Sequence, residues 1–252
     1  MELYVCTLAA TLAQSGWKPI VLCVPGSKSE QFLREHSVET YPSTGEGYFN
    51  VHDILLAQQI IRKRCVSVVH SHTRFDIWTA SWAVRGFPKV KLFHSVYMNV
   101  AAKKDFLHTW IYKRADGIFS SSEIINKEIR ERYPVDPSRV HLLRYGIDLG
   151  NFTKNDSVRE ETRRTLGVAE NDILVGILGR IDVQKGVREF AESYLLLPKE
   201  KRDGIKYLII GEPTILRTKE DGSQEYEPDS KACDAYITSF IHENHLEKNI
   251  IR

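Results

Sequence analysis

The sequence predicts an α/β protein with two Rossmann-like domains, each built around a parallel, doubly wound sheet. Short apolar runs alternate along the chain with longer segments in which apolar residues recur every three to four positions. These patterns are typical of strands and helices, and strands that alternate with helices form parallel sheets. A glycine-containing stretch at 145–153 separates two such series. We therefore expect an N-terminal domain at 1–150 and a C-terminal domain at 151–252.

The predicted elements of the first domain follow in chain order. Periodic segments predict helices at 2–14, 28–35, 51–64, 77–85 and 103–114, and short apolar runs predict strands at 20–24, 38–41, 66–71 and 90–94. The segments 117–121, 123–133 and 140–144 complete the alternation. The serines at 120–122, just before Glu123, are typical of a capped helix start.

The second domain contains one complete βαβ unit. A charged segment at 157–166 predicts a helix, and an apolar run at 173–178 predicts a buried strand. A helical pattern then leads to a second apolar strand at 207–210. Three further segments follow: a polar surface insertion at 213–230, a helix at 234–245 and the first residues of another strand at 249–251.

Glycines and cations follow the strand at 173–178 and predict a phosphate site. The strand ends in a Gly-Arg pair, a Lys-Gly pair follows, and Gly211 closes the second strand. In an open parallel sheet, ligands bind at the carboxyl ends of the strands, where the next helix also directs its free N–H groups. We expect Arg180 and Lys185 to hold a diphosphate there. The structural alternative is an exposed pair of cations at a helix start, or a contact between Arg180 and Asp182.

Four stretches resemble motifs of a known family. The pattern GR-x4-KG at 179–186 is similar to the donor-site motif of retaining GT-B glycosyltransferases of family 4, also called glycosyl transferases group 1. LRYGIDLGNF at 143–152 resembles the family's interdomain segment, VVHSH at 68–72 is a third match, and KLFH at 91–94 is similar to the family's strand end with a histidine. The four occur in the family's order across most of the chain.

The resemblance implies a GT-B fold, with a cleft between two Rossmann-like domains, and a sugar transfer reaction. The donor would be a nucleotide-diphosphate sugar and the acceptor a hydroxyl group of a glycan, a lipid-linked sugar or a small molecule, with retained configuration. No metal or other cofactor is expected, because the chain has no D-x-D motif and two cations would stabilise the leaving diphosphate as catalytic residues. The donor-binding set is Gly179, Arg180, Lys185, Gly186 and Gly211.

Two histidines and an arginine complete the predicted site. His94 matches the family's histidine near the donor sugar, where it would act as a third catalytic residue and donate a hydrogen bond to a sugar hydroxyl. His72 and Arg74 are expected to face the acceptor, although a helix cap or an ion pair with Asp76 explains Arg74 equally well. His70 and His72 share one strand face, a spacing that suits zinc. No third ligand is near in the sequence, so we predict no metal site.

The composition argues against several other classes. The 252-residue chain has a net charge of +2 and dispersed basic residues, which give no reason to expect nucleic-acid binding. Basic clusters at 62–64 and 103–104 leave a weak contact with anionic membrane open. No apolar run reaches membrane-spanning length, and four cysteines without C-x-x-C spacing are typical of free thiols in a reducing compartment. We therefore expect a cytoplasmic protein, with or without peripheral contact at the inner face of the membrane.

Both ends look incomplete against the family pattern. The chain begins within the family's first helix and stops before its E-x7-E segment, so the second domain is expected to be incomplete and full activity of these residues alone is not expected. Two alternatives stay open: a noncatalytic nucleotide-sugar-binding subunit or inactive fragment, and a GT-B nucleotide-sugar epimerase. The interdomain segment at 143–152 argues against the epimerase.

Overall fold

The computed structural model describes residues 2–45, 47–98, 101–218 and 223–252. The chain forms two compact units, Met1–Ile147 and Asp148–Arg252, called here the N-terminal and C-terminal units. The boundary falls between residues 147 and 148, whereas the sequence places it between 150 and 151. Each unit buries a hydrophobic core of its own.

The N-terminal unit alternates helices and strands throughout its described part. Its helices are α1 (Glu2–Gln14), α2 (Lys28–Glu35), α3 (Val51–Arg64), α4 (Asp76–Val84), α5 (Phe106–Tyr112) and α6 (Glu123–Arg132). Its strands are β1 (Ile20–Cys23), β2 (Glu39–Pro42), β3 (Val68–Ser71), β4 (Lys91–Val96), β5 (Gly117–Ser120) and β6 (Val140–Leu142).

The strands of the N-terminal unit pair in parallel in two sheets. β1 pairs with β2, and β3, β4, β5 and β6 form a four-stranded sheet in that order. The register sets Val68 opposite Lys91 and Ser71 opposite His94. Because the paired strands are parallel, residues that follow β3 lie beside residues that follow β4 at one edge of the sheet.

The main core of the N-terminal unit joins the four-stranded sheet to its helices. On α4, the apolar residues Ile77, Ala80 and Val84 recur three and four positions apart, which places them on one helix face. They are buried in one cluster with Leu92 of β4 and Ile118 of β5. Burying each large aliphatic side chain of this kind contributes about 1.5–3 kcal/mol to stability, which fixes the helices against the sheet.

The C-terminal unit has a second parallel sheet, with the strand order β11-β8-β7, and a separate antiparallel hairpin of β9 and β10. Its helices are α7 (Asp156–Thr165), α8 (Val187–Ser193), α9 (Lys199–Arg202) and α10 (Pro228–Glu243). Its strands are β7 (Ile173–Leu178), β8 (Ile205–Ile210), β9 (Ile215–Thr218), β10 (Gln224–Tyr226) and β11 (Ile250–Ile251).

The apolar run at 173–178 is a strand, but the prediction that it is buried is wrong. Among the described strands β7 pairs with β8 alone, so it forms an edge of the sheet. Ile173 and Leu178 are 61% and 80% exposed. The core collects instead around Tyr207 and Ile209 of β8, which pack with residues of α8 and α10.

The segment 213–230 is more than a polar surface insertion. Its described part holds the β9–β10 hairpin, while residues 219–222 lie outside the described residues. Helix α10 starts at Pro228, not at 234, because proline suits the first helical position, where no N–H donor is needed. Thr214 and Ser230 are buried, so both ends of the segment belong to the body of the unit.

Candidate functional site

The loop of residues 179–186 follows β7 and lies against the end of β8. The strand pairing continues into it: Gly179 N donates to Ile210 O at 3.0 Å, and Ile181 N donates to Glu212 O at 2.9 Å. A Cβ atom at Gly211 would lie 1.7 Å from Gly179 O. Glycine at 211 is therefore required by the close approach of two main chains, which accounts for it without contact to a ligand.

A short 3-10 turn, Val183–Lys185, shapes the second half of the 179–186 loop. The Asp182 carboxylate caps the turn and accepts from Gln184 N at 2.9 Å. Gly186 ends it with a φ of +68°, a conformation that side chains disfavour, and α8 begins at the next residue. Lys185 is thus held between a capped turn and a left-handed glycine.

Arg180 and Lys185 are both exposed on the 179–186 loop, as their predicted role requires. Neither side chain has a hydrogen bond or ion pair with any residue that the structure describes. The alternative pairing of Arg180 with Asp182 is not formed, because Asp182 Oδ2 accepts from Thr214 Oγ1 at 3.3 Å. Two cations of one loop are therefore available to an anion.

Two residues missed by the sequence reasoning fasten the 179–186 loop. Ser230 Oγ donates to Ile181 O at 2.7 Å and accepts from Thr214 N at 3.0 Å. Thr214 in turn binds Asp182, so one buried chain of hydrogen bonds joins the start of α10 to the loop. No local sequence signal marks these residues, which lie in a polar segment.

The second group of predicted site residues lies at the carboxyl ends of β3 and β4 in the N-terminal unit. The ring centroids of His70 and His72 are 4.0 Å apart, and His94 is 2% exposed. Burial lowers the pKa of His70 to about 3, with a smaller contribution from His72. Burial also lowers the pKa of His72 to about 4 and that of His94 to about 3. All three histidines are neutral at neutral pH.

Each of these histidines is hydrogen-bonded through one ring nitrogen. His70 Nε2 lies 2.8 Å from Ser95 Oγ, and His94 Nδ1 lies 2.9 Å from Ser71 Oγ.

The third bond joins His72 to Tyr97, with 2.6 Å between His72 Nδ1 and the tyrosine hydroxyl. Ser95 and Tyr97 were not predicted, because the histidines that they bond, His70 and His72, are each 25 residues away in the sequence.

Arg74 is exposed beside these histidines, and neither the predicted helix cap nor the predicted ion pair with Asp76 is formed. Its guanidinium lies 4.7 Å from the centre of the Phe75 ring. Asp76 does not pair with it, since Asp76 Oδ2 accepts from Thr73 N at 2.9 Å. The pKa of Lys103 is lowered mainly by burial and, to a smaller extent, by the charge of Arg74. Lys103 is therefore a second cation near Arg74.

The described residues hold no group of three or more histidine, cysteine, aspartate or glutamate side chains that could bind a metal ion. Within the same ranges, no helix has the length and apolar character needed to cross a membrane.

Solved structures with similar folds include glycosyltransferases. A glycosyltransferase from Rickettsia africae superposes with a TM-score of 0.78 at 16% identity, covering 99% of this chain and 63% of the other. HepE of Anabaena, solved in complex with UDP, gives a TM-score of 0.76 at 13% identity, covering 99% of this chain and 64% of the other. The predicted α/β fold with parallel sheets of the GT-B class is confirmed.

The family model described as Glycosyltransferase Family 4 matches residues 1–151, more than half of the chain. The chain belongs to glycosyltransferase family 4, and the predicted resemblance is confirmed.

Its relatives include proteins named D-inositol 3-phosphate glycosyltransferase. One from Nocardioides sp. is 29% identical over 165 residues, and one from Mycobacterium sp. strain KMS is 26% identical over 164 residues; each match covers 58% of this chain and 35% of the relative. The chain thus spans about a third of the length of these curated relatives.

Proposed function

We propose that the protein is a retaining, metal-independent glycosyltransferase that moves a sugar from a nucleotide-diphosphate sugar to a hydroxyl group of an acceptor. One observation carries the proposal: on the 179–186 loop, Arg180 and Lys185 are exposed and unpaired within the described ranges. The UDP complex of the similarly folded HepE supports a nucleoside diphosphate as the ligand.

The two cations would act on the leaving group. Negative charge grows on the diphosphate oxygens as the sugar departs, and fixed cations stabilise that charge more in the transition state than in the ground state. Arg180 would bind two oxygens through its planar guanidinium, and Lys185 would add a point charge. Each such charge-assisted bond contributes about 1.5–3 kcal/mol. These two side chains would take the place of a divalent cation.

The acceptor side is proposed to consist of His94, His72 and Arg74. Neutral histidines suit sugar hydroxyls, which donate and accept hydrogen bonds, whereas a cation suits an acidic substituent. The acceptor class stays as predicted: a glycan, a lipid-linked sugar or a small molecule. The names of the relatives make inositol phosphate a reasonable first acceptor to test, because Arg74 and Lys103 would attract its phosphate. The predicted cytoplasmic location stays a prediction.

The proposal is tested by titrating UDP into the protein by calorimetry and by measuring UDP release from UDP-sugars with and without acceptors. Arg180→Ala and Lys185→Ala should each weaken UDP binding about 10- to 100-fold, because each removes one charge-assisted contact. Lys199→Ala is the matched control, since Lys199 is an exposed cation of the same unit outside the 179–186 loop.

Unchanged UDP affinity in both loop variants would contradict the diphosphate site. UDP binding with no release of UDP in the presence of any acceptor would favour the noncatalytic nucleotide-sugar-binding subunit. UDP-sugar conversion without transfer to an acceptor would favour the epimerase.

A further inference from the structure

The hydrogen bonds around His72 fix which ring nitrogen carries the proton. Burial raises the pKa of Tyr97 to about 12, so its hydroxyl is protonated at neutral pH, while a hydrogen bond donated by Ser95 partly opposes that rise. The protonated Tyr97 hydroxyl has one proton to donate. The acceptor within reach is His72 Nδ1, at 2.6 Å.

His72 therefore carries its proton on Nε2. Its ring is neutral, because burial lowers the pKa to about 4, and Nδ1 is occupied as an acceptor. A neutral imidazole has one N–H, so that N–H is at Nε2. No residue in the described part of the chain accepts from it. His72 thus presents an unused donor.

The same reasoning gives His94 the opposite arrangement. Ser71 Oγ donates its proton to Phe93 O at 3.3 Å, so the Ser71 oxygen is left to accept from His94 Nδ1 at 2.9 Å. Burial keeps the His94 ring neutral, although a hydrogen bond to the Ser71 backbone raises the pKa slightly. With its proton on Nδ1, His94 has a lone pair on Nε2. No described residue donates to that nitrogen.

We propose that His72 and His94 present opposite groups to a polyol such as a sugar: the Nε2–H of His72 donates to a hydroxyl oxygen, and the Nε2 lone pair of His94 accepts from a hydroxyl group. Tyr97 and Ser71 are the positioning residues that set these two tautomers. That the polyol is a transferred sugar or its acceptor rests on the proposed function. For His94 the direction is the reverse of the hydrogen bond that the family resemblance implies.

The tautomers are measurable without any substrate. Long-range proton–nitrogen NMR correlation on protein with ¹⁵N-labelled histidine distinguishes protonated from unprotonated ring nitrogens. The single variants His72→Gln and His94→Gln assign the two signals. We expect Nε2–H for His72 and Nδ1–H for His94. The same tautomer in both residues, or the reverse assignment, overturns the proposal.

Tyr97→Phe tests the positioning role, because it keeps the ring and removes the hydroxyl. His72 should then lose its fixed tautomer, and the KM for the sugar substrate whose hydroxyl it binds should rise about tenfold with a smaller change in kcat. Tyr145→Phe is the matched control: its ring lies 5.8 Å from that of Tyr97, and its hydroxyl takes no part in the His72 network. An unchanged His72 signal in Tyr97→Phe overturns the assignment.

Ser71→Ala should release the tautomer of His94, and Ser71→Thr, which keeps a hydroxyl, should restore it. An unchanged His94 signal in Ser71→Ala contradicts the role of Ser71. If Ser71→Ala does not fold, Ser71→Thr is the test, and it must retain Nδ1–H on His94. The NMR result is independent of catalysis. Absent transferase activity with the expected tautomers would count against the proposed function alone.

Discussion

A single added carbon atom at position 211 would place two main chains in collision. The Cβ of Gly211→Ala would lie 1.7 Å from Gly179 O, and backbone cannot yield as a flexible side chain does. We expect this variant to lose about 3 kcal/mol of unfolding free energy, the upper range for overpacking. Urea unfolding followed by circular dichroism measures the loss. Gly204→Ala is the control, because its Cβ would meet nothing within 4 Å; equal stability of the two variants would refute the close approach.

Single residues were predictable where their chemistry is local. Arg180 and Gly186 are recognised from their neighbours, because a glycine turn with cations after a strand has meaning on its own. Ser230 and Tyr97 were not, since their hydrogen-bond partners Ile181 and His72 are 49 and 25 residues away. A polar residue that works through a distant partner leaves no mark in its own segment. The missed residues Ser230 and Tyr97 are therefore ones that act on the site through hydrogen bonds to distant partners.

At the scale of one element, the start of α3 depends on a buried carboxylate. Asp53 is 5% exposed and accepts from Asn50 Nδ2 and His52 Nδ1, each at 2.9 Å, and from the Ser43 hydroxyl. Burial alone would raise the pKa of Asp53, but the bonds from Ser43 and His52 outweigh burial and hold it below the ordinary value. The bonds join the segment before the helix to its first turn.

We expect Asp53→Asn to cost about 2 kcal/mol of unfolding free energy at neutral pH, because hydrogen bonds to a charged acceptor are lost. In the wild type this contribution is present above the pKa of an unfolded aspartate and is lost as the pH falls through the folded value. Tryptophan fluorescence during urea unfolding measures the change. Glu35→Gln is the control, since the Glu35 carboxylate is exposed and bonds to Gln31 of its own helix. A cost no greater than that of the control would show that Asp53 does not hold this segment.

Helix ends were predictable where a cap is local. The predicted bounds of α1, α2 and α3 are confirmed, and side chains of Ser27 and Asn50 cap the latter two. The prediction for α5 begins too early, because Asp105 caps the helix through His108 N and excludes residues 103–104. The burial of β7 was not predictable, since an apolar run does not reveal whether its strand lies at an edge.

At the scale of the whole molecule, the two units carry different spectroscopic and titratable groups. The partly buried His70 and His72 and the buried His94 belong to the N-terminal unit, whereas the histidines of the C-terminal unit, His242 and His245, are exposed. The four tryptophans of the chain, at 17, 78, 82 and 110, are also all in the N-terminal unit. Tryptophan fluorescence therefore follows the unfolding of that unit alone.

Acid should destabilise the N-terminal unit well before its carboxylates titrate. Burial lowers the pKa of His70 and His94 to about 3 and that of His72 to about 4, whereas an unfolded histidine titrates near 6.5. Between these values the unfolded state binds more protons, so the unfolding free energy falls as the pH falls, by up to about 1.4 kcal/mol per pH unit for His94. Urea unfolding by tryptophan fluorescence between pH values of about 7 and about 4.5 measures this slope. His94→Gln should reduce this slope, whereas His141→Gln, the control at an exposed histidine, should leave it unchanged. A urea midpoint that does not depend on pH would mean that these histidines are not held as neutral groups in the folded state.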